Sequence, residues 1–367
     1  MLVGIDASRA IADRPTGTEA YSRRLIDALL ARDSLHRFRL YFRQPPPSGL
    51  FRGAELRTIP FPRLWTHLRL AWEVAKHPPD ALFVPAHVLP SIHPCPSLVT
   101  IHDLGYLRFP KSHPWRQRLY LDLSTRWNAY TATHLLADSQ ATRADLVTHY
   151  SVAANKITVA YPGTDESLGP VRDVDAIEAA KARYNISGDY FLYLGTLQPR
   201  KNLPRLVEAF AEFATRLSPS AIQLVLAGKR GWLYDDLFEQ VSRRGLFERV
   251  RFPGYVAEED KAALLSGALA FVFPSLHEGF GLPVVEAQAC GCPVITSNTS
   301  SLPEVAGDGA LLVDPEDTAD IVNAMQRIAT EPWLCEELIE RGFANEGRFS
   351  WATCAETVLK AIDAHLC

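Results

Sequence analysis

The hydrophobic positions of this chain fall into short continuous runs, and helical patterns lie between them. Because most runs do not alternate with polar residues, we expect parallel strands that are buried on both faces of their sheets. Apolar residues recur at helical spacing over residues 19–30 and 203–217. Strands that alternate with helices predict a doubly wound α/β fold. The runs that we interpret as strands are residues 2–5, 38–42, 81–84, 97–101, 134–137, 157–160, 190–194, 223–227, 250–252, 270–273, 293–297 and 310–313.

An acidic segment that is poor in large apolar residues, residues 165–189, separates two sets of strands. We interpret this segment as the connection between two Rossmann-like domains, each with a doubly wound parallel sheet. The expected domains are residues 1–168 and residues 169–348, and a helical pattern over residues 349–367 follows them.

The composition is that of a globular protein. The 367 residues, 47% hydrophobic and 22% charged, suffice for two domains with separate cores. A net charge of −4 disfavours a dedicated nucleic-acid binder, so we expect no nucleic-acid partner. The N-terminus resembles a strand and not a signal peptide, and the longest apolar stretch, residues 268–273, is too short to cross a bilayer. We therefore expect a cytoplasmic protein, either free or peripheral to the inner face of the membrane.

The strongest chemical signal is the segment H-E-G-F-G-L-P-V-V-E, in which seven residues separate Glu278 from Glu286. The pattern predicts a strand end, a glycine loop and a helix start, with Glu286 in the first helical turn. Unpaired amides at a helix start bind anions, whereas carboxylates bind hydroxyls. A nucleotide-sugar, which has a diphosphate and many hydroxyls, suits both. The amides expected to face this ligand belong to Gly279, Phe280, Gly281 and Leu282.

Two basic loops follow other predicted strands of the second domain. G-T-L-Q-P-R-K-N places Arg200 and Lys201 beside a second helix start, and G-K-R-G-W begins with Gly228 and Lys229. Lysine holds a phosphate as a point charge, and arginine can clamp two oxygens. Ligands of open α/β sheets bind at the carboxyl ends of strands, so we expect all four residues to contact the donor.

The first domain offers two candidates. In the segment T-G-T-E, Gly17 permits close approach to a phosphate or a sugar, and Thr18 is the expected helix cap. His102 ends the predicted strand at residues 97–101, where it could bond a sugar hydroxyl or handle a proton.

No metal and no cofactor are expected. Asp173 and Asp175 match the pattern D-x-D, but they lie in the connecting segment and not at a strand end. The six cysteines do not have the spacing of metal ligands, and the sequence contains neither a P-loop nor a nucleophile elbow.

A stretch from Arg63 to Trp72 mixes aromatic, aliphatic and basic residues. Trp65, Leu68 and Trp72 share one face of a helix, which favours a helix that packs on the core while its cations reach solvent. The alternative is a basic amphipathic surface for lipid headgroups, which would give a peripheral membrane contact.

Together, these residues resemble retaining glycosyltransferase family 4, which has the GT-B fold. The resemblance covers nearly the whole chain and is strongest in three segments: G-T-L-Q-P-R-K-N-L, F-P-S-L-H-E-G-F-G-L-P-V-V-E-A-Q-A-C-G-C-P-V-I and L-P-E-V-A-G-D-G-A-L-L-V-D-P. Supporting segments are T-G-T-E, V-T-I-H-D-L, A-D-S-Q-A-T and Y-P-G-T-D. The variant with P-R-K-N resembles mannosyltransferases of this family.

The resemblance implies roles for these residues. Glu286 would bind the nucleotide ribose, and the amides of residues 279–282 would meet the sugar and the diphosphate. Lys201, helped by Arg200, would bind the diphosphate. The catalytic candidates are Glu278, which would lie at the reacting face of the donor sugar, Lys201, and His102, which would contact that sugar.

The resemblance also implies the architecture and the reaction. Two Rossmann-like domains would face a central cleft, with Gly17 and Thr18 on its floor and the final helix packed back on the first domain. The implied enzyme is a metal-independent hexosyltransferase that acts on a glycan or lipid-linked acceptor of surface polysaccharide biosynthesis. GDP-mannose is the first donor to test. The alternatives are a nucleotide-sugar epimerase on the same fold and a non-catalytic protein that has kept the fold.

Overall fold

The computed structural model of the chain describes residues 1–12, 17–86, 88–110, 114–216, 222–231 and 235–366. Three residues of the segments given above lie outside the described part. They are Thr16 of T-G-T-E, Leu217 at the end of residues 203–217, and Trp232 of G-K-R-G-W. The chain divides into a first unit, formed by Met1–Gly163 and Phe349–Cys367, and a second unit, Thr164–Arg348.

Strands occur where continuous apolar runs predicted them, with one addition. The strands of the first unit are β1 Leu2–Asp6, β2 Arg37–Phe42, β3 Glu55–Thr58, β4 Ala81–Val84, β5 Ser97–Ile101, β6 His134–Ala137 and β7 Ile157–Val159. Those of the second unit are β8 Tyr190–Leu194, β9 Gln223–Ala227, β10 Val250–Gly254, β11 Ala270–Phe273, β12 Val294–Ser297 and β13 Leu311–Val313.

Helices connect these strands in both units. In chain order the described helices are α1 Gly17–Leu30, α2 Ala71–Lys76, α3 Gly105–Arg108, α4 Trp115–Thr131, α5 Gln140–Tyr150, α6 Val174–Arg183, α7 Leu203–Arg216, α8 Asp235–Arg243, α9 Glu258–Ser266, α10 Leu282–Ala289, α11 Leu302–Ala306, α12 Thr318–Thr330, α13 Pro332–Glu346 and α14 Trp351–His365.

The described residues of the first unit form a seven-stranded sheet in the order β3-β2-β1-β4-β5-β6-β7. All its neighbouring strands are parallel. The central strands β4 and β5 are buried along their whole length. Helix α14 joins this unit, and its Trp351, Ala355 and Ile362 share a core with Leu25 and Ile26 of α1.

The second unit contains a six-stranded parallel sheet in the order β10-β9-β8-β11-β12-β13. Strands β8, β9 and β11 are buried throughout, because helices cover both faces of a doubly wound sheet. The prediction of two parallel-sheet α/β domains is therefore confirmed.

Strand β3 was not predicted. It lies at the edge of its sheet, where it pairs with β2 alone, and its four residues are exposed or half-buried. An edge strand has little apolar surface to bury, so it lacks the continuous hydrophobic run by which the others were found.

The preferred interpretation of Arg63–Trp72 was wrong in part. Trp65 is buried and donates from Nε1 to the carbonyl of Ile59 at 2.7 Å, but Leu68 and Trp72 are about half exposed. The segment Trp65–Leu70 is a π-helical turn and not an α-helix. Its wider turn breaks the 3.6-residue stripe, so the three side chains do not share one buried face.

Candidate functional site

The second sheet has a switch point between β8 and β11. The chain continues from β8 to β9 and β10 on one side, and from β11 to β12 and β13 on the other. At such a point the loops after the two central strands diverge and leave a crevice at the carboxyl edge. The loop with Arg200 and Lys201 follows β8, and the loop with Glu278 follows β11.

Glu278 meets both cations at this edge. Lys201 Nζ lies 2.6 Å from Glu278 Oε1, and Arg200 Nη1 lies 3.1 Å from Oε2. Arg200 also donates to the carbonyl of His277. Lys201 and Glu278 are both buried, and the Lys201 ammonium lies 4.6 Å from the centroid of the Phe273 ring. The predicted convergence of the cationic loop on the acidic loop is therefore present within this unit.

The electrostatics of this cluster follow from burial and charge. Burial by itself raises the pKa of Glu278, but the charges of Arg200 and Lys201 more than offset burial and hold that pKa below its ordinary value. Glu278 is therefore ionised at neutral pH, and the two cations keep fixed positions without a ligand.

Serine hydroxyls fix the loop that carries Glu278. The Glu278 amide donates to Ser300 Oγ at 3.0 Å, and Ser301 Oγ lies 2.9 Å from the Glu278 carbonyl and 2.7 Å from that of Phe280. Gly281 has φ 111°, and a Cβ there would lie 2.8 Å from Leu302 Cδ2. Glycine is thus required at this turn by both conformation and space.

Helix α10 begins one residue after this turn, at Leu282, with Pro283 in its first turn as predicted. The amides of Gly279–Leu282 therefore lead into a helix start, where the helix dipole favours an anion. Because α10 begins at Leu282, Glu286 is its fifth residue. The expectation that Glu286 lies in the first turn is wrong.

Glu286 has a partner that the sequence did not suggest. Lys261 Nζ of helix α9 lies 2.6 Å from Glu286 Oε1. Burial by itself lowers the pKa of Lys261, but the Glu286 charge reverses this effect and raises it. Lys261 lies in helix α9, which follows the end of strand β10 at Gly254, but no residue of that segment indicates a contact with Glu286.

The loops after β8 and β9 are joined side by side. A Cβ at Gly228, which has φ 144°, would lie 1.9 Å from the carbonyl oxygen of Gly195. The Leu197 amide donates to the Lys229 carbonyl at 2.9 Å. Gly228 and Lys229 therefore lie at the same sheet edge as the cluster around Glu278, as predicted.

The first unit brings its candidates to the carboxyl edge of its own sheet. Helix α1 begins at Gly17, so Thr18 lies inside the first turn and the predicted cap at Thr18 is wrong. Apart from its chain neighbours and the backbone of its own helix, no heavy atom of the described residues lies within 4 Å of a Cβ placed at Gly17. Internal packing of the described residues therefore does not explain this glycine.

His102 follows β5 and is fixed on both ring nitrogens. Its Nδ1 lies 2.6 Å from Asp138 Oδ2, and its Nε2 lies 3.0 Å from the carbonyl oxygen of Pro85. The Tyr21 ring packs edge-on at 4.7 Å between centroids. Sequence analysis missed Asp138, although an acid directly after the strand β6 is a recognisable signal.

Other expectations concern metals and membranes. Within the described ranges, no cluster of three or more His, Cys, Asp or Glu side chains is placed to hold a metal ion. Asp173 caps helix α6, where its Oδ1 accepts from the Asp175 amide at 3.0 Å, which explains the D-x-D pattern structurally. None of the helices in the described residues has the length and apolar character needed to cross a bilayer.

Two family models match the chain. The model of Glycosyltransferase Family 4 matches residues 15–168, and the model of Glycosyl transferases group 1 matches residues 177–344. O-antigen chain mannosyltransferase B from Escherichia coli is 34% identical over 271 residues, which are 72% of this chain and 69% of that protein. The serotype-specific mannosyltransferase WbdA from Escherichia coli is 30% identical over 239 residues, which are 62% of this chain but 28% of WbdA.

Solved structures match over nearly the entire length. Sucrose-phosphate synthase from Thermosynechococcus elongatus has a TM-score of 0.76 at 23% identity and covers 99% of this chain and 98% of its own. HepE from Anabaena in complex with UDP-glucose has a TM-score of 0.76 at 20% identity, with 99% of both chains covered. At such identities the likeness establishes the fold, which is GT-B.

Two doubly wound α/β units, with a cationic and acidic cluster at the switch point of one sheet, define an α/β protein class whose ligand site lies at that sheet edge. Within that class, this chain belongs to the family 4 glycosyltransferases. The predicted family and enzyme class are thereby confirmed.

Proposed function

We propose that this glycosyltransferase moves a hexose from a nucleotide-sugar to a glycan or lipid-linked acceptor and retains the anomeric configuration. The observation that carries the proposal is the buried cluster in which Lys201 and Arg200 flank Glu278 at the switch point. GDP-mannose is the donor that we expect first, because the relatives at 34% and 30% identity are named mannosyltransferases.

The cluster suits a diphosphate that leaves with growing negative charge. Lys201 and Arg200 are already held in place by Glu278, so little reorganisation is needed when the donor binds. Preorganised positive groups of this kind stabilise the transition state more effectively than mobile ones. The amides that lead into α10 add a second source of positive potential on the same loop.

The acids suit the hydroxyl groups of the donor. Glu278, held ionised, would accept hydrogen bonds from the sugar, and Glu286 would accept them from the ribose. Lys261 of helix α9 contacts the Glu286 carboxylate of helix α10, which makes it a supporting residue for ribose binding. Gly228 and Lys229 lie at the same edge and would contact the nucleotide.

The candidates of the first unit would serve the sugar and the acceptor. Gly17 begins α1, and a glycine there permits close approach of a phosphate or a sugar. Thr18 lies in the same first turn, and His102 lies at the carboxyl edge of that sheet. The acceptor that we propose is a growing surface polysaccharide of the O-antigen type, as the names of the relatives suggest.

A donor panel tests this function. The purified protein is incubated with GDP-mannose, UDP-glucose or ADP-glucose, with and without a mannose-terminated glycan, and release of nucleoside diphosphate is measured. Acceptor-dependent release of GDP, with a product that keeps the anomeric configuration, is the expected result. Release from UDP-glucose alone would overturn the choice of donor. Conversion of the donor to an isomer without transfer would identify an epimerase instead.

We also propose contact with a membrane surface, because helix α4 buries polar side chains and exposes apolar ones. Its buried residues are polar: Asn128 Oδ1 accepts from the Leu89 amide at 2.9 Å, and Thr125 bonds the Tyr106 hydroxyl at 2.8 Å. Leu121 of α4 packs against the core, but the other large apolar side chains of α4 are exposed, namely Trp115, Leu119, Tyr120, Leu123, Trp127 and Tyr130. We call this set the α4 aromatic face.

The α4 aromatic face continues onto the π-helical turn and is interleaved with cations. His67 Nε2 lies 3.2 Å from the Tyr120 hydroxyl and so links α4 to the turn that exposes Leu68. Arg116 stacks on Trp115 at 5.2 Å. Tryptophan and tyrosine are enriched at membrane interfaces and basic residues attract anionic lipids, so we propose that an anionic bilayer covers this face. A lipid-linked acceptor would be presented at such a surface.

Co-sedimentation with vesicles tests the membrane contact. We expect binding to vesicles that contain anionic phospholipid, weaker binding to zwitterionic vesicles, and loss of binding in a variant with Trp115→Ser and Trp127→Ser. Trp333→Ser is the matched control for Trp115→Ser, because Trp333 is 60% exposed and Trp115 is 65% exposed, but Trp333 belongs to the second unit. Unchanged vesicle binding in the double variant, or self-association of the protein through this face, would contradict the assignment.

A further inference from the structure

His102 lies between the carboxylate of Asp138 and the backbone carbonyl of Pro85, and both groups accept hydrogen bonds when Asp138 is ionised. Asp138 Oδ2 lies 2.6 Å from its Nδ1, and the Pro85 carbonyl oxygen lies 3.0 Å from its Nε2. A carboxylate and a backbone carbonyl have no proton to donate, so both ring nitrogens must carry one. A neutral imidazole has a single N–H and cannot satisfy both contacts.

We propose that Asp138 is a positioning residue that holds His102 as a doubly protonated imidazolium, so that His102 acts as a fixed positive group and not as a general base. The catalytic part of this proposal rests on the proposed glycosyl transfer. The protonation state of the ring stands on the geometry of the first unit alone.

The two side chains of the His102–Asp138 pair differ in their exposure to solvent. The Asp138 side chain is 7% exposed and the His102 side chain 18%, so the imidazolium is the end nearer to solvent. The other oxygen of Asp138, Oδ1, is buried and has no hydrogen-bond partner in the described residues. A buried carboxylate with so little other compensation depends on the His102 charge. The positive end of the pair therefore faces the ligand edge, where it attracts oxygen atoms of a sugar or a phosphate.

The backbone and ring neighbours fix this orientation. Thr142 Oγ1 donates to the His102 carbonyl at 3.2 Å, and the Tyr21 ring packs edge-on against the imidazole. Because β4, β5 and β6 are adjacent parallel strands, Pro85, His102 and Asp138 follow neighbouring carboxyl ends. The sheet itself sets the spacing of the two acceptors.

The surrounding charges act in the same sense. Burial lowers the pKa of His102, but the Asp138 carboxylate, its hydrogen bond and the Asp103 charge together raise it. Burial also raises the pKa of Asp138, and the charge and hydrogen bond of His102 oppose that effect. Tyr21 and Cys354 are the other titratable groups beside this pair, and burial raises the pKa of both, so they stay uncharged near neutral pH. Without Asp138, burial acts against the protonated ring with little opposition.

Nitrogen NMR of protein labelled with ¹⁵N-histidine tests the protonation state directly. His102 is assigned by comparison with His102→Gln. We expect both ring nitrogens of His102 to show protonated shifts at about pH 8, where an ordinary histidine with a pKa of about 6.5 is neutral. A His102 ring with one unprotonated nitrogen at that pH would overturn the proposal, whether the proton then sits on Asp138 or is absent.

The functional part is tested with Asp138→Asn, which keeps the shape of the side chain and removes its charge. The rate of the variant relative to the wild type should fall about tenfold for each unit by which the assay pH exceeds the lowered His102 pKa, and it should recover in acid. A ratio that does not change with pH would refute the role of the charge.

Asp145→Asn is the matched control for that experiment. Asp145 is a buried carboxylate of the same unit, 2.7 Å from Arg108, and it makes no contact with His102 in the described structure. Its variant should keep the wild-type pH profile. Calorimetric unfolding of both variants, with transitions like those of the wild type, confirms folding of both units. The NMR measurement decides the protonation state even if no donor in the panel is turned over.

Discussion

Replacement of Lys201 by alanine probes both the stability and the chemistry of the second unit. The Lys201 ammonium lies 2.6 Å from Glu278 Oε1, and both side chains are buried. Removing one partner of a buried pair costs about 3–5 kcal/mol when the other charge is left alone. Glu278 keeps Arg200 at 3.1 Å, so we expect a smaller loss of about 2–3 kcal/mol.

The same substitution should reduce the rate far more than stability alone would suggest. Loss of one preorganised donor to a developing negative charge lowers kcat by about 100–1000-fold. The assay is release of nucleoside diphosphate at saturating donor, combined with calorimetric unfolding. For a domain of this size each kcal/mol lowers the Tm by about 2–4 °C.

Lys181→Ala is the matched control. Lys181 is also 8% exposed, lies in the same unit and pairs with Glu178 at 2.5 Å, but it belongs to helix α6. This variant should lose stability without losing kcat. A Lys201→Ala enzyme whose kcat stays within about threefold of the wild-type value would refute the assignment of Lys201 to the diphosphate.

Three further outcomes are expected. Glu286→Ala should weaken the binding of nucleoside diphosphate by about 10–100-fold in calorimetry, because hydrogen bonds to a charged group contribute about 1.5–3 kcal/mol. Lys261→Met should weaken it by less. Equal affinities for both variants and the wild type would contradict the role of Glu286 in ribose binding. The pKa of Glu278 is lowered in the folded state, so its contribution to stability is present above the unfolded pKa of about 4.5 and is lost as the pH falls through the folded pKa. The Tm of Glu278→Gln should therefore fall less steeply in acid than the Tm of the wild type. Parallel curves of Tm against pH would count against the ion cluster. Gly281→Ala should destabilise the protein by about 1–3 kcal/mol in denaturant titration, since φ is 111° and Leu302 occupies the space of the new Cβ; an unchanged midpoint would show that the turn can relax.

Continuous burial made most of the fold predictable from the sequence. Strands β4 and β11 begin and end where their apolar runs do, because a strand covered on both faces consists mainly of apolar residues. The edge strand β3 and the π-helical turn Trp65–Leu70 obey no such constraint. The first is half in solvent, and the second changes the period on which helical prediction depends.

The candidate site was predictable where it depends on the sheet edge. Lys201 and Glu278 follow neighbouring strands, so parallel topology alone brings them together. Lys261 and Asp138 were missed for different reasons. The contact of Lys261 with Glu286 depends on the tertiary packing of distant segments, which leaves no periodic trace in the chain. Asp138 directly follows the strand β6 beside β5, so its contact with His102 could have been predicted from the same sheet edge.

The return of α14 to the first unit has a consequence for the order in which the protein is built on the ribosome. The second unit is one continuous stretch, Thr164–Arg348, and it can complete its core as soon as that stretch has emerged. The first unit must wait for the last helix of the described chain, which covers the apolar face of α1. A nascent chain halted at Gly163 would therefore present that face to chaperones.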